Sequence, residues 1–133
     1  MQKPELIIIG GLPKAGKTTF VKQSFDQNKY MHICAESCGK THKSAWSEMM
    51  FILGQAILKK IDVIFDSCGT VTGALIPSIT MAKVSGFTTK YLYVYGSPCI
   101  DVDKHLLNKY KADLVVALPI FAEHVDKFII HNG

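Results

Sequence analysis

The chain has no arginine: all 15 of its basic residues are lysine, against 11 acids in 133 residues, for a formal charge of +4. Every cation is therefore a point charge on a flexible stem, and the planar two-pronged grip of a guanidinium on a phosphate is excluded. Such a surplus suits a protein that meets phosphates. No compact basic run with interleaved aromatics is present, so a nucleic-acid surface does not follow from it. Long apolar runs are also missing, the longest falling far short of the roughly 20 residues a membrane helix needs. Nor does the start read as a secretory signal, because Lys3, Pro4 and Glu5 precede an apolar stretch that stops at Gly10. The expectation is a cytosolic protein with no membrane association. Cysteines are few: Cys34, Cys38, Cys68 and Cys99 are expected as free thiols in a reducing compartment. His32, Cys34, Cys38 and His42 raise a zinc question. No second CxxC-type pair exists, and thiols packed as small hydrophobes are the preferred reading.

What is present is an ordinary folded composition, 48% hydrophobic and 20% charged, at a length that suits one domain over residues 1–133. Leu6 to Ile9 is a β-branched-rich run, expected as a strand buried on both faces. A helix is expected over 17–26, a weaker strand over Tyr30 to Ala35, and a polar loop over Glu36 to Lys43. Helical spacing of Trp46, Met49, Met50, Leu53, Ile57 and Leu58 predicts a helix from Ser44 to Lys60. Ile61 to Phe65, ending at Asp66, reads as a third strand. A helix from about Gly73 to Val84, closed by Gly86, leads to a strand over Thr88 to Tyr95. Ile100 to Tyr110 is expected as a helix, Leu114 to Leu118 as a strand or buried connector, Pro119 to Asp126 as a short helix and Phe128 to His131 as the last strand. This alternation predicts an α/β fold with a mainly parallel sheet covered on both faces.

The stretch Gly11-Leu12-Pro13-Lys14-Ala15-Gly16-Lys17-Thr18 matches GxxxxGK[ST] in full, a pattern expected by accident in roughly one chain in two hundred of this length. It follows a strand and precedes a helix, which is the context its chemistry requires. Glycines let main-chain N–H groups turn inward and approach an anion closely, and the helix behind adds its positive end. Lys17 is expected to reach the β- and γ-phosphates and the Thr18 hydroxyl to bind Mg2+, with Thr19 next in the cradle. Lys14 also stands in the loop, either solvated or at the phosphates. No NKxD motif for guanine is visible, so ATP is the expected nucleotide. A phosphate cradle needs a carboxylate to complete the metal shell, and Asp66, ejected at the carboxyl end of "IDVIFDS", has that context. Asp62, at the other end of the same strand, reads as a turn residue.

With these residues in view, "GLPKAGKTTF" resembles the GxPGSGKST loop of small P-loop kinases, in particular the kinase domain of bacteriophage polynucleotide kinase and the zeta-toxin-like kinases. The order of "YMHICAES", "VIFDS", "YLYVYGSP" and "ALPIFAEHVDKFII" continues the resemblance over nearly the whole chain, although only the loop is specific. The resemblance implies a P-loop NTPase fold, three layers α/β/α around a five-stranded sheet of order 2-3-1-4-5. It also implies transfer of a γ-phosphoryl group to a hydroxyl of a nucleotide, a nucleic-acid end or modified base, or a small metabolite. In such kinases an acid just after the second strand is the general base, which here falls on Glu36; a solvated loop acid is the alternative. The family places arginines after the second strand and in a lid. This chain has Lys40 and Lys43 in the first place and Lys104, Lys109 and Lys111 in the second. That departure keeps two other readings open, a nucleotide-dependent binding protein with little transfer activity and an NTP hydrolase completed by a partner. Trp46 and the Met49-Met50 pair are expected to anchor a helix on the sheet. Tyr91, Tyr93 and Tyr95 alternate on one strand face, which suits packing under a helix.

Overall fold

The computed structural model describes residues 3–11, 17–34, 42–67, 72–95 and 104–132. Nine elements follow one another along the described residues: β1 (Glu5–Gly10), α1 (Lys17–Ser24), β2 (Met31–Cys34), α2 (His42–Leu58), β3 (Val63–Asp66), α3 (Thr72–Val84), β4 (Thr88–Tyr95), α4 (Lys104–His124) and β5 (Lys127–Asn132). The strands form one sheet in the order β2-β3-β1-β4-β5, and every pairing is parallel. The architecture expected from the sequence is present, with helices on both faces and the glycine-bearing β1 at the centre.

Alternation along β1 divides the core between the two faces. Leu6 and Ile8 point to the side where α2, α3 and α4 pack, with Ile33, Phe65 and Tyr91 in the same cluster. Ile7 and Ile9 point to the other side, where Val21 of α1 closes over them together with Ile64, Leu92 and Val94. Parallel strands buried on both faces carry continuous apolar runs, which is why "LIII" and "VIF" contain no polar residue.

The helices bury stripes at helical spacing: Ala45, Met49, Leu53 and Ala56 on α2, and Leu75, Ile79 and Ala82 on α3. Trp46 meets Phe65 edge-on at 5.7 Å, anchoring α2 to β3. Tyr91 stacks between Phe121 of α4 and Phe128 of β5, at 4.6 and 5.5 Å between ring centroids. Tyr93 packs against the same cluster, so both tyrosines of β4 whose side chains are described serve the core.

One expectation needs correction. Residues 104–124 form a single helix, where a helix, a strand or connector and a second short helix were expected. Leu114, Ala117 and Phe121 are buried at helical spacing, while Val115 and Val116 are 74% and 65% exposed. The continuous apolar run therefore concealed a period of 3.6. Pro119 does not end the helix. Its ring removes a hydrogen bond to the carbonyl of Val115, and both residues face solvent, where water can take that carbonyl. Pro77 of α3 stands in the same relation to Gly73, and both are exposed.

Two helices end alike. Gly86 N–H bonds to Lys83 O and Phe87 N–H to Ala82 O after α3; Lys60 N–H bonds to Ile57 O and Ile61 N–H to Ala56 O after α2. This paired return requires a left-handed residue. Gly86 supplies it at φ 94° and Lys60 at φ 57°.

Candidate phosphate-binding site

β1 is buried from Leu6 onward and delivers Gly10 and Gly11 to the carboxyl edge of the sheet. Gly11 has φ 153°, a backbone conformation that a side chain would oppose. Gly10 has a different reason to be glycine: a Cβ there would land on the hydroxyl of Tyr91. The strand thus turns out of the core over an aromatic ring that leaves no room for a side chain. Leu12, Pro13, Lys14, Ala15 and Gly16 lie outside the described residues, as do the side chains of Lys17 and Thr18.

α1 begins at Lys17 and is fixed by Val21, fully buried on Ile7 and Ile9. Phe20, next to Val21, packs against the ring of His131 at 4.3 Å, tying α1 to β5. A strand that ends at Gly10 and a helix that begins at Lys17 are therefore the described context of the GxxxxGKT stretch.

Asp66 is the last residue of β3 and pairs in register with Ile9 of β1 on one side and Cys34 of β2 on the other. Neighbouring strands lie about 4.8 Å apart, which sets Asp66 one strand from the backbone that enters the loop. The Ser67 N–H bonds to Ile9 O at 3.4 Å, carrying the β1–β3 pairing one residue beyond Asp66. The carboxyl side chain is only 3% exposed, and its Oδ2 lies 3.0 Å from Nε2 of His32. Apart from Thr89, Asp66 is the sole buried polar or charged residue among those described.

A buried carboxylate is costly unless donors or a cation meet it. An oxygen donor is the usual partner of a hard divalent ion such as Mg2+. The residues present at this edge thus fit Mg2+. Among the described residues, no group of three or more His, Cys, Asp or Glu side chains could hold a metal ion by itself. His32, one of the four residues behind the zinc question, turns to Asp66; Cys38 of that set lies outside the described residues. So does Glu36, two residues beyond Cys34, with which β2 ends level with Asp66.

Sequence reasoning missed His32 as a partner of Asp66. The signal was the period of two in "HIC", which puts His32 and Cys34 on one face with buried Ile33 on the other. Reading it required knowing that β2 lies beside β3.

At the opposite edge, Lys3, Glu5, Lys29, Thr88 and Lys90 line an open cavity of about 340 Å³. Glu5 lies 2.7 Å from Lys90 Nζ and 3.5 Å from Lys29 Nζ, and accepts a hydrogen bond from the Tyr30 hydroxyl at 3.1 Å. Asp62 takes the Glu5 N–H on Oδ1 at 2.8 Å, fastening the starts of β1 and β3 as a turn residue should. This end of the sheet is built from internal ion pairs and caps, at the far end of the strands from Asp66.

No protein-family model matches the chain, and comparison with curated protein sequences gives no match. Among the described residues no helix is long and apolar enough to cross a membrane. Solved structures do resemble it. A chain of the PezAT chromosomal toxin–antitoxin system of Streptococcus pneumoniae superposes with a TM-score of 0.74 at 13% identity, over 99% of this chain and 69% of that one. The crystal structure of APE1195 gives 0.50 at 16% identity, over 98% of this chain and 87% of that one. At identities this low the likeness is one of fold. With the strand order 2-3-1-4-5, it establishes the P-loop NTPase fold.

Proposed function

We propose that the chain is an ATP- and Mg2+-dependent kinase that moves the γ-phosphoryl group to a hydroxyl of a nucleotide, a nucleic-acid end or modified base, or a small metabolite. One observation carries the reading: a buried carboxylate, Asp66, ends the strand beside the one that runs into GLPKAGKT, level with its last core residue. That is where a triphosphate held by the loop would present its metal.

In this reading the main-chain N–H groups of residues 11–18 cradle the phosphates, and Lys17 follows charge onto the β–γ bridge and the γ-oxygens as transfer proceeds. Thr18 and Asp66 hold Mg2+, which supplies neutralisation of the phosphate oxygens. Thr19 continues the donor row into α1. Glu36 takes the proton of the attacking hydroxyl, one connection away at the same sheet edge. The P-loop fold supports this at the level of nucleotide chemistry, and the acceptor rests on the resemblance of the loop.

ATP turnover that needs Mg2+ and rises when the right acceptor is added is the expected result. Lys17→Ala should lower kcat/KM by about 100-fold or more, the usual loss when a positioned donor to developing charge is removed. Turnover unchanged in that variant overturns the kinase. A second reading, a nucleotide-dependent binding protein with little transfer, is favoured by the absence of arginine, because lysines at 40, 43, 104, 109 and 111 cannot reproduce a bidentate clamp on the transferring group. Tight ATP binding with no acceptor phosphorylated, and a partner retained only with nucleotide, would select it.

A further inference from the structure

His32 stands on β2, two strands from the phosphate loop, and nothing in the GxxxxGKT pattern calls for it. Its side chain is 11% exposed, and its Nε2 lies 3.0 Å from Oδ2 of a carboxyl that is 3% exposed. The register explains the meeting: His32 is level with Ile64, two residues before Asp66 on the neighbouring strand and on the same face. An ionised carboxylate can only accept, so Nε2 carries the hydrogen. In that tautomer the ring donates one bond to Oδ2. A lysine at the same place would compete with a cation for the carboxylate.

We propose that His32 is the positioning residue of the metal-side carboxylate. By holding Oδ2, its N–H fixes the plane of the Asp66 carboxylate, so that affinity for Mg2+ in the nucleotide complex depends on His32 while the phosphate cradle does not. The inference rests on the proposed Mg2+–nucleotide site and adds to it a residue on a strand that the loop motif does not include. Hydrogen bonds to a ligating carboxylate commonly set metal affinity by 10–100-fold.

The test is a calorimetric titration of Mg2+ into the full chain saturated with a non-hydrolysable ATP analogue, repeated with Mn2+ followed by electron paramagnetic resonance. His32→Leu should raise the Mg2+ midpoint by about 10-fold or more, with metal-free nucleotide affinity within about twofold of the original. His32→Gln, whose amide nitrogen falls near the position of Nε2, should recover most of the loss. His32→Asn, with a shorter amide, should not. A folded Leu variant with an unchanged midpoint overturns the proposal, and so does a Gln variant no better than Leu. Should Leu fail to fold, Gln and Asn decide between themselves, equal midpoints overturning it. Failure of the underlying reading looks different: the unaltered chain would then bind nucleotide with no dependence on Mg2+, or bind none at all.

Discussion

Burial alone would raise the Glu5 carboxyl, yet the hydrogen bonds from Lys90 and Tyr30 and the charges of Lys90 and Lys29 outweigh it and hold the group below its ordinary value. Asp126 is held low as well, chiefly by the Thr89 N–H, which its Oδ2 accepts at 2.8 Å along with the Thr89 hydroxyl at 3.0 Å. The sign follows from linkage. A carboxyl depressed in the folded state contributes stability that is present above its unfolded value and is lost as the pH falls through the folded one. Chemical denaturation followed from neutral pH down to about pH 2 should therefore show stability falling below roughly pH 4.5, and Glu5→Gln and Asp126→Asn should each flatten that fall. An acid limb of unchanged slope in both variants would show that these two contacts do not couple protonation to folding. Both groups lie at the amino-terminal edge of the sheet, so neither substitution touches the Asp66 site.

Among the elements, the two helix ends with matching hydrogen bonds differ in the residue that bears the cost. After α3, Gly86 adopts φ 94° with nothing within 4 Å of the place a Cβ would take, so the backbone conformation alone calls for glycine. After α2, Lys60 holds φ 57° without that freedom, at a cost of about 1 kcal/mol for an L-residue in this region. Lys60→Gly should accordingly stabilise the fold by about 0.5–1 kcal/mol, less whatever entropy the unfolded chain gains. Gly86→Ala should destabilise it by about 1 kcal/mol. Urea midpoints with unchanged m-values would establish both. A Lys60→Gly variant less stable than the parent would mean that the left-handed conformation is not what limits that cap. The sequence foretold the cap at one of these ends, because glycine after an apolar stripe is a stop signal; at the other, spacing gave the end at Lys60 but no residue marked a left-handed cap. The same contrast runs through α4. Its buried stripe was present in the letters, but Val115 and Val116 filled the gaps with apolar residues, and β-branched continuity looked like a strand. Exposure, which alone separates the two readings, is a property of the packed chain.

At the scale of the whole molecule, the layering was legible because apolar runs such as those of β1 and β3 alternate with helical stretches, whereas the strand order came from the resemblance to small P-loop kinases. Asp66 was legible as an acid ending one of those runs. His32 was not, since its partner is 34 residues away and is reached only through the pairing of β2 with β3. The proposed ligand would itself join parts distant in sequence: residues 11–18 between β1 and α1, and Asp66 at the end of β3. Binding to the folded chain alone then adds RT ln(1 + [L]/Kd), about 2.7 kcal/mol at a hundredfold excess over Kd. For a domain of this length that amounts to about 8–10 °C in Tm. Mg2+ with a non-hydrolysable ATP analogue should produce such a shift in differential scanning fluorimetry, and Asp66→Asn should remove most of the part that Mg2+ adds. Lys17→Ala should remove most of the whole. A shift that survives Lys17→Ala would place the nucleotide elsewhere on the molecule. A shift that is independent of Mg2+ would leave the cradle in place and detach Asp66 from it, because a carboxylate beside a polyphosphate repels it unless a cation stands between them.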